Sequence, residues 1–316
     1  LEGIVLPGQI MVGGDSHTCT AGAINSFATG VGSTDIAGAW ATGEVWLKVP
    51  QSARLTYTGK LRPHVYGKDL ILHTLKDLGT AGATYLAIEY QGDVFEQLPM
   101  SDRFTMANMA IEAGAKTGLF QFDDKTRELV ESTPRYKSER PAYTTVAPDD
   151  DAVYALERTY DVSNLEPQVA CPFSPDNVKN LSALHDVKID QVVIGACTNG
   201  WLEDLQRAAD IFKGRTVHEN VRVIILPGSQ MIARQACDLG LPQIFIDAGC
   251  VFSTSTCGPC IGGHMGVLGE KEICVSTTNR NFAGRMGHLS SEVYLTNPAV
   301  AAASAVLGHI ASPEEL

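Results

Sequence analysis

From residue 187 onward, apolar runs and amphipathic stretches alternate at short, regular spacing. Residues 187–195, 221–226, 243–248 and 272–276 read as short buried strands, and residues 202–212, 229–239 and 299–307 as helices. Strand and helix in alternation, joined by tight turns, predict an α/β fold with a parallel sheet covered by helices. In open sheets of that kind ligands gather beyond the carboxyl ends of the strands. The loops that follow the predicted strands are therefore the places to look for chemistry.

The first half is patterned less evenly. Residues 10–12 form a short apolar run that stops at Gly13-Gly14-Asp15-Ser16-His17-Thr18. Residues 21–28 and 34–47 have helical patterns, and 52–59 alternate apolar with polar, the signature of a half-buried strand. An amphipathic helix is predicted over 68–78, stopped by Gly79, then a strand over 85–90 and a helix over 102–115. Residues 123–168 are charged and proline-containing, and read as a boundary region with some helix around 150–160. There is neither an internal repeat nor a low-complexity segment.

Composition narrows the class. A chain of 316 residues makes roughly two to three domains of ~100–200 residues. No apolar run reaches the ~20 residues that span a bilayer, and no signal-peptide pattern opens the chain, so the expected compartment is the cytoplasm. The sequence begins at Leu1 and reads like the middle of an element, which predicts an N-terminal portion preceding it. A net charge of −12 without basic runs argues against nucleic acid or an anionic membrane as partner. A small anionic substrate stays open, since a few local arginines override the global sign. Eight cysteines in a large chain of this kind are expected as thiols or metal ligands rather than disulfides.

Three of those cysteines follow predicted strands: Cys197 in Gly195-Ala196-Cys197-Thr198-Asn199, and Cys257 with Cys260 in Cys257-Gly258-Pro259-Cys260. Alone, a Cys-x-x-Cys pair suits zinc, an iron–sulfur cluster or a redox dithiol. Zinc asks for a fourth ligand and no second close Cys or His pair exists, although His264 lies four residues on. Three thiolates holding a four-iron cluster leave one iron without a protein ligand, free to act as a Lewis acid.

Arg280 and Arg285 lie five apart in Asn279-Arg280-Asn281-Phe282-Ala283-Gly284-Arg285. Paired guanidinium forks match carboxylates, so they suit a di- or tricarboxylate, against the plainer reading of surface arginines paired with local acids. Asp15-Ser16-His17 groups an acid, a hydroxyl and an imidazole, but three consecutive side chains do not face one another as a hydrolytic triad. They read instead as hydrogen-bonding partners of a substrate. Glu89 suits a proton relay or an exposed strand end equally. Leu226-Pro227-Gly228-Ser229 lacks the lysine of a phosphate loop.

Together, Gly14-Asp15-Ser16-His17-Thr18, Gly195-Ala196-Cys197-Thr198-Asn199, Cys257-Gly258-Pro259-Cys260 and Asn279-Arg280-Asn281-Phe282-x-Gly284-Arg285 resemble the aconitase superfamily. The likeness is greatest to its branch that acts on isopropylmalate and homoaconitate with separate large and small subunits. Asn108-Met109-Ala110-Ile111-Glu112-x-Gly114-Ala115-Lys116 and Ser174-Pro175-Asp176-Asn177 add context, and the likeness runs over nearly the whole chain.

The resemblance implies an aconitase-like iron–sulfur fold of successive α/β/α subdomains: the remainder of a first over 1–50, a second over 51–146 and a third, bearing the cysteines, over 147–316. It implies one [4Fe-4S] cluster on Cys197, Cys257 and Cys260, with Asn199 and Asn279 against it. Ser16, Arg280 and Arg285 would hold substrate carboxylates, and Asp15, His17 and Glu89 would belong to the catalytic polar network. The swivelling domain with its serine base would come from a small-subunit partner. The implied reaction is the isomerisation of isopropylmalate by loss and return of water, as in leucine biosynthesis, with homoaconitate, citramalate or dimethylmalate as alternatives. A zinc-stabilised anion-binding module and a cluster-dependent RNA-binding regulator are the rivals from other classes.

Overall fold

Each segment's backbone pairing explains which elements the pattern predicted and which it hid. A computed structural model describes residues 2–184 and 186–316. In chain order it runs β1 (Ile10–Gly13), a 3-10 segment (Ser16–Ile24), β2 (Phe27–Gly30), α1 (Ser33–Thr42), β3 (Ser52–Thr58), α2 (Gly67–Leu78), β4 (Ala87–Gln91), α3 (Val94–Gln97), α4 (Met100–Met109), β5 (Thr117–Phe120), α5 (Asp124–Ser132), α6 (Pro134–Glu139) and β6 (Leu156–Asp161). It continues through β7 (Gln168–Ala170), β8 (Val178–Asn180), β9 (Gln191–Gly195), α7 (Ala196–Asn199), α8 (Leu202–Phe212), β10 (Arg222–Leu226), α9 (Gln230–Asp238), α10 (Leu241–Asp247), β11 (Val251–Phe252), β12 (Ile273–Ser276), β13 (Glu292–Leu295) and α11 (Pro298–Leu307). No helix among the described residues is long and apolar enough to cross a membrane.

Two compact units divide the chain. Unit 1 takes Leu1–Leu61 and Leu78–Ser163, and unit 2 takes Arg62–Asp77 and Asn164–Leu316.

In unit 1, β1 and β2 pair in parallel, and β5-β4-β3-β6 form a four-stranded parallel sheet. The alternation predicted over 52–59 is realised in β3, where Ala53, Leu55 and Tyr57 are buried and the residues between them are not. Tyr57 packs against Phe95 and Tyr160 at ring-centroid distances of 5.4 and 5.2 Å, and Phe120 lies 4.9 Å from both Tyr90 and Phe95. Tilted and edge-on rings of this kind add directional attraction to the area they bury.

Two expectations for this unit fail. The helix expected over 21–28 is a 3-10 segment that ends at Asn25, in the left-handed conformation (φ 64°), after which β2 pairs with β1. Asn25 tolerates that conformation and its amide donates to the carbonyls of Phe120 and Val146. The helix expected around 150–160 is instead β6, which takes the edge of the sheet beside β3. Its side chains are mostly exposed, so it has no apolar periodicity to betray it.

In unit 2, seven strands run β11-β10-β9-β12-β13-β7-β8, parallel from β11 to β13 and antiparallel beyond. Val192, Ile194, Val223, Ile225 and Val275 form the centre of the core, with Phe212 and Phe245 from the covering helices. On α8, Leu205, Ala208, Ala209 and Phe212 recur at helical spacing and are all buried, as the pattern predicted. The strand expected over 243–248 is α10: left-handed Gly240 and Pro242 in the first turn set a helix start, and Leu241 and Phe245, one turn apart, face the core.

Helix α2 belongs to unit 2 for an electrostatic reason. Its buried Asp69 accepts hydrogen bonds from the backbone N–H of Tyr66 (2.8 Å) and of Gln168 (2.8 Å), and from the Asn297 amide (3.0 Å). The compact units thus depart from the expected boundaries at 50 and 146, because β6 completes the sheet of β3 and because α2 is tied to residues beyond 164.

Candidate functional site

The predicted parallel sheet does deliver its loops to one edge of unit 2. Strands β9, β10, β11 and β12 are mutually parallel, so Cys197 after β9, the Cys257–Cys260 loop after β11 and Asn279 after β12 all lie at carboxyl ends. Two glycines bring the cysteine loops in close. Gly195 has φ +126°, and a Cβ there would stand 1.9 Å from the Leu226 carbonyl oxygen. Gly258 has φ +55°, and its Cβ would meet Leu226 Cδ1 at 2.4 Å. Both cysteine-bearing turns therefore rest on Leu226, the last residue of β10. Ala196, next to Cys197, is itself left-handed at φ 60°, a strained conformation at the thiol-bearing turn.

The side chain of Asn279, almost wholly buried, joins two of the thiols: its amide donates to Cys197 Sγ at 3.5 Å and its oxygen accepts from Cys260 Sγ at 3.7 Å. Cys197 and Cys257 are exposed and Cys260 is buried. Burial pushes the Cys260 thiol up, and the neighbouring Arg285 guanidinium, which hydrogen-bonds it, pulls the other way, as does Arg280. The Nε of Arg285 is buried without a hydrogen-bond partner.

Asn199, fully buried, accepts from the Lys68 ammonium at 3.3 Å and donates to Asp204 at 3.2 Å. Lys68 has no exposed surface and also donates to the carbonyls of Thr277 (2.8 Å) and Thr278 (2.6 Å). Burial pushes its pKa down to about 7, against the opposing pull of Asp204, Asp69, Cys197 and Cys260.

The chemistry of the donor set, soft thiols with a guanidinium beside one of them, suits a thiolate-bound group. Cys197 and Cys260 contact opposite ends of one amide, and Arg285 keeps an unpartnered N–H beside them.

In unit 1, Asp15 caps the 3-10 segment, accepting from the His17 backbone N–H at 2.7 Å, and its carboxylate lies 3.5 Å from His17 Nδ1. The other ring nitrogen, Nε2, meets Glu112 Oε1 at 2.9 Å, with both side chains more than nine-tenths buried. Ser16 lines a cavity of 460 Å³ together with Trp46, Tyr85, Ile111 and Lys116. Glu89 lies on β4, accepts from the Tyr154 hydroxyl at 3.1 Å and lines a different cavity, beside Tyr90 and Phe120.

Glu112 and Lys68 escaped the residue-level reading. Glu112 had a signal, an acid embedded in the apolar stretch Met109-Ala110-Ile111-Glu112-Ala113. Lys68 had none, because its partners lie 131 to 210 positions away.

Residues 1–185 and 177–308 match the family model described as aconitase family (aconitate hydratase). The chain is 58% identical over 315 residues to the 3-isopropylmalate dehydratase large subunit of Thermodesulfovibrio yellowstonii, covering 100% of this chain and 74% of that protein. It is 56% identical over 315 residues to the protein of the same name from Desulfatibacillum aliphaticivorans, with the same coverage. For the one from Aquifex aeolicus the figures are 54% over 320 residues, 100% of this chain and 73% of that protein. Among solved structures, the holo-form of Thermococcus kodakaraensis aconitase X shares the fold, with a TM-score of 0.50 at 13% identity over 91% of this chain and 67% of that one. The chain belongs to the aconitase family.

Proposed function

We propose that the chain is the large, cluster-bearing subunit of a hydro-lyase that interconverts 2-isopropylmalate and 3-isopropylmalate in leucine biosynthesis, acting in the cytoplasm. The observation that carries this reading is identity of 53–58% over the whole chain to proteins named 3-isopropylmalate dehydratase large subunit. The word "large" in those names supports a small-subunit partner. In this reading that partner brings the swivelling domain and the serine base.

Cys197, Cys257 and Cys260 would hold a [4Fe-4S] cluster, which when bound supplies a Lewis acid for the substrate's hydroxyl and one carboxylate. Asn279 ties the Cys197 and Cys260 side chains to each other. Arg280 and Arg285 offer guanidinium forks to substrate carboxylates, and the unpartnered Nε of Arg285 is a donor already desolvated for that purpose. Ser16 offers a hydroxyl to the same class of ligand. His17 holds or passes a proton at its ring, with Glu112 fixing Nε2 and Asp15 fixing the backbone and the Nδ1 side. The His17–Glu112 contact supports adding Glu112 to the polar network that the resemblance implied for Asp15, His17 and Glu89.

The test is anaerobic reconstitution with iron and sulfide, addition of the small subunit, and assay with 2-isopropylmalate and with homocitrate. Turnover of isopropylmalate at least tenfold above homocitrate supports the reading. Preference for homocitrate, or a chain that takes up one zinc and no iron, overturns it.

A further inference from the structure

Lys68 is a fully buried ammonium in the first turn of α2, where the helix dipole disfavours a cation, and burial itself disfavours the charge. Such a placement lowers stability unless something nearby needs it. Its three acceptors belong to two loops at the carboxyl edge of the sheet. Asn199 Oδ1 lies two residues after Cys197, and the carbonyls of Thr277 and Thr278 immediately precede Asn279, whose amide touches both Cys197 and Cys260.

We propose that Lys68 is a positioning residue for the sulfur donor set: it ties the loop after β9 to the loop after β12 and sets an ammonium held by three acceptors beside the loops that carry Cys197 and Asn279. The proposal rests on the reading that those cysteines hold an iron–sulfur cluster. A fourth element, α2, thereby supports a site whose donors all come from loops far along the chain. A plain structural role would need the three hydrogen bonds alone. The proposed role also needs the charge, because three thiolates with a cluster carry net negative charge in a partly buried corner. Asp204 and Asp69 lie within electrostatic reach of the same ammonium and favour its charged form.

The experiment compares the full chain with Lys68→Met and Lys68→Arg after anaerobic loading with iron and sulfide, reading iron per chain, the rate of iron loss to a chelator and the reduction potential of the bound group. Lys68→Met removes the charge at similar length, and Lys68→Arg keeps charge and donors. The expected result is iron loss at least fivefold faster in Lys68→Met with a more negative potential, and a potential close to the unaltered chain's in Lys68→Arg. Iron loss and potential unchanged in Lys68→Met overturn the proposal, as does an Arg variant whose potential follows that of the Met variant. If Lys68→Met does not fold, the potential of Lys68→Arg decides: close to the unaltered chain's supports the charge role, and shifted negative overturns it. An unaltered chain that takes up no iron sinks the cluster reading, and the proposal with it.

Discussion

His17 and Glu112 meet at 2.9 Å between Nε2 and Oε1, ninety-five residues apart and both nearly sealed from solvent. A carboxylate so placed fixes the ring's orientation and favours a proton on the nitrogen it faces.

If the imidazole handles a proton in turnover, Glu112→Gln should lower kcat by about 10²–10³. The chain's unfolding midpoint should change far less, and KM should stay within a few-fold. Glu89→Gln should leave kcat nearly unaltered, since its observed partner is Tyr154. Steady-state kinetics of the reconstituted two-subunit enzyme decide between the two acids.

Changing Cys197, Cys257 or Cys260 to Ser should abolish retention of iron, whereas Cys274→Ser should not. Cys274 is fully buried beside Gln191, and burial pushes its thiol up to about 12, which makes it a poor thiolate donor. Iron analysis and visible absorbance after desalting provide the check. Stripping iron with a chelator should remove activity, and reloading should restore it.

Gly195→Ala tests the packing beneath the Cys197 turn. The φ of +126° and the approach to the Leu226 carbonyl both exclude a Cβ. The variant should be destabilised by about 1–3 kcal/mol or more, seen as a lower denaturant midpoint, and should load iron poorly even where folded.

At the opposite, amino end of the same strands, Arg222 grips Glu272 with two hydrogen bonds of 2.9 and 3.0 Å. The Arg222 guanidinium first, then the Gly269 N–H, hold the Glu272 carboxyl below its ordinary value. With the folded pKa lowered, the stabilisation is present above the unfolded value of about 4.3 and is lost as pH falls through the folded pKa. The pair is partly exposed, so its worth is about 1 kcal/mol or less. Glu272→Gln should flatten the acid limb of stability against pH and leave the limb above pH 6 parallel to the unaltered chain. An identical acid limb in both proteins would count against the pair.

Legibility in the sequence followed the range of the interaction. α8 and β3 showed their buried faces as local period, and the three cysteines advertised themselves by spacing after strands. β6 was hidden because its stability comes from pairing with β3 about a hundred residues away, with little apolar face of its own. α10 was mistaken for a strand because six apolar-rich residues fit either period, and only Gly240 and Pro242 tip the balance. Asp15, His17 and Arg280 drew attention by their residue types and were joined in one site by family likeness, whereas Glu112 and Lys68 emerged only from contacts that no local window contains.

The assignment of α2 to unit 2 has a consequence for anyone who would cut this protein at its apparent joints. A fragment beginning at residue 164 would carry every cysteine of the proposed donor set and both arginines, and would look complete by its motifs. It would lack the ammonium that binds Asn199, Thr277 and Thr278, and the carboxylate that receives Gln168 and Asn297. During synthesis those two side chains emerge between 99 and 228 residues before the partners they serve. The helix has to wait, and the sulfur-bearing loops reach their final arrangement only when the later chain folds back onto it.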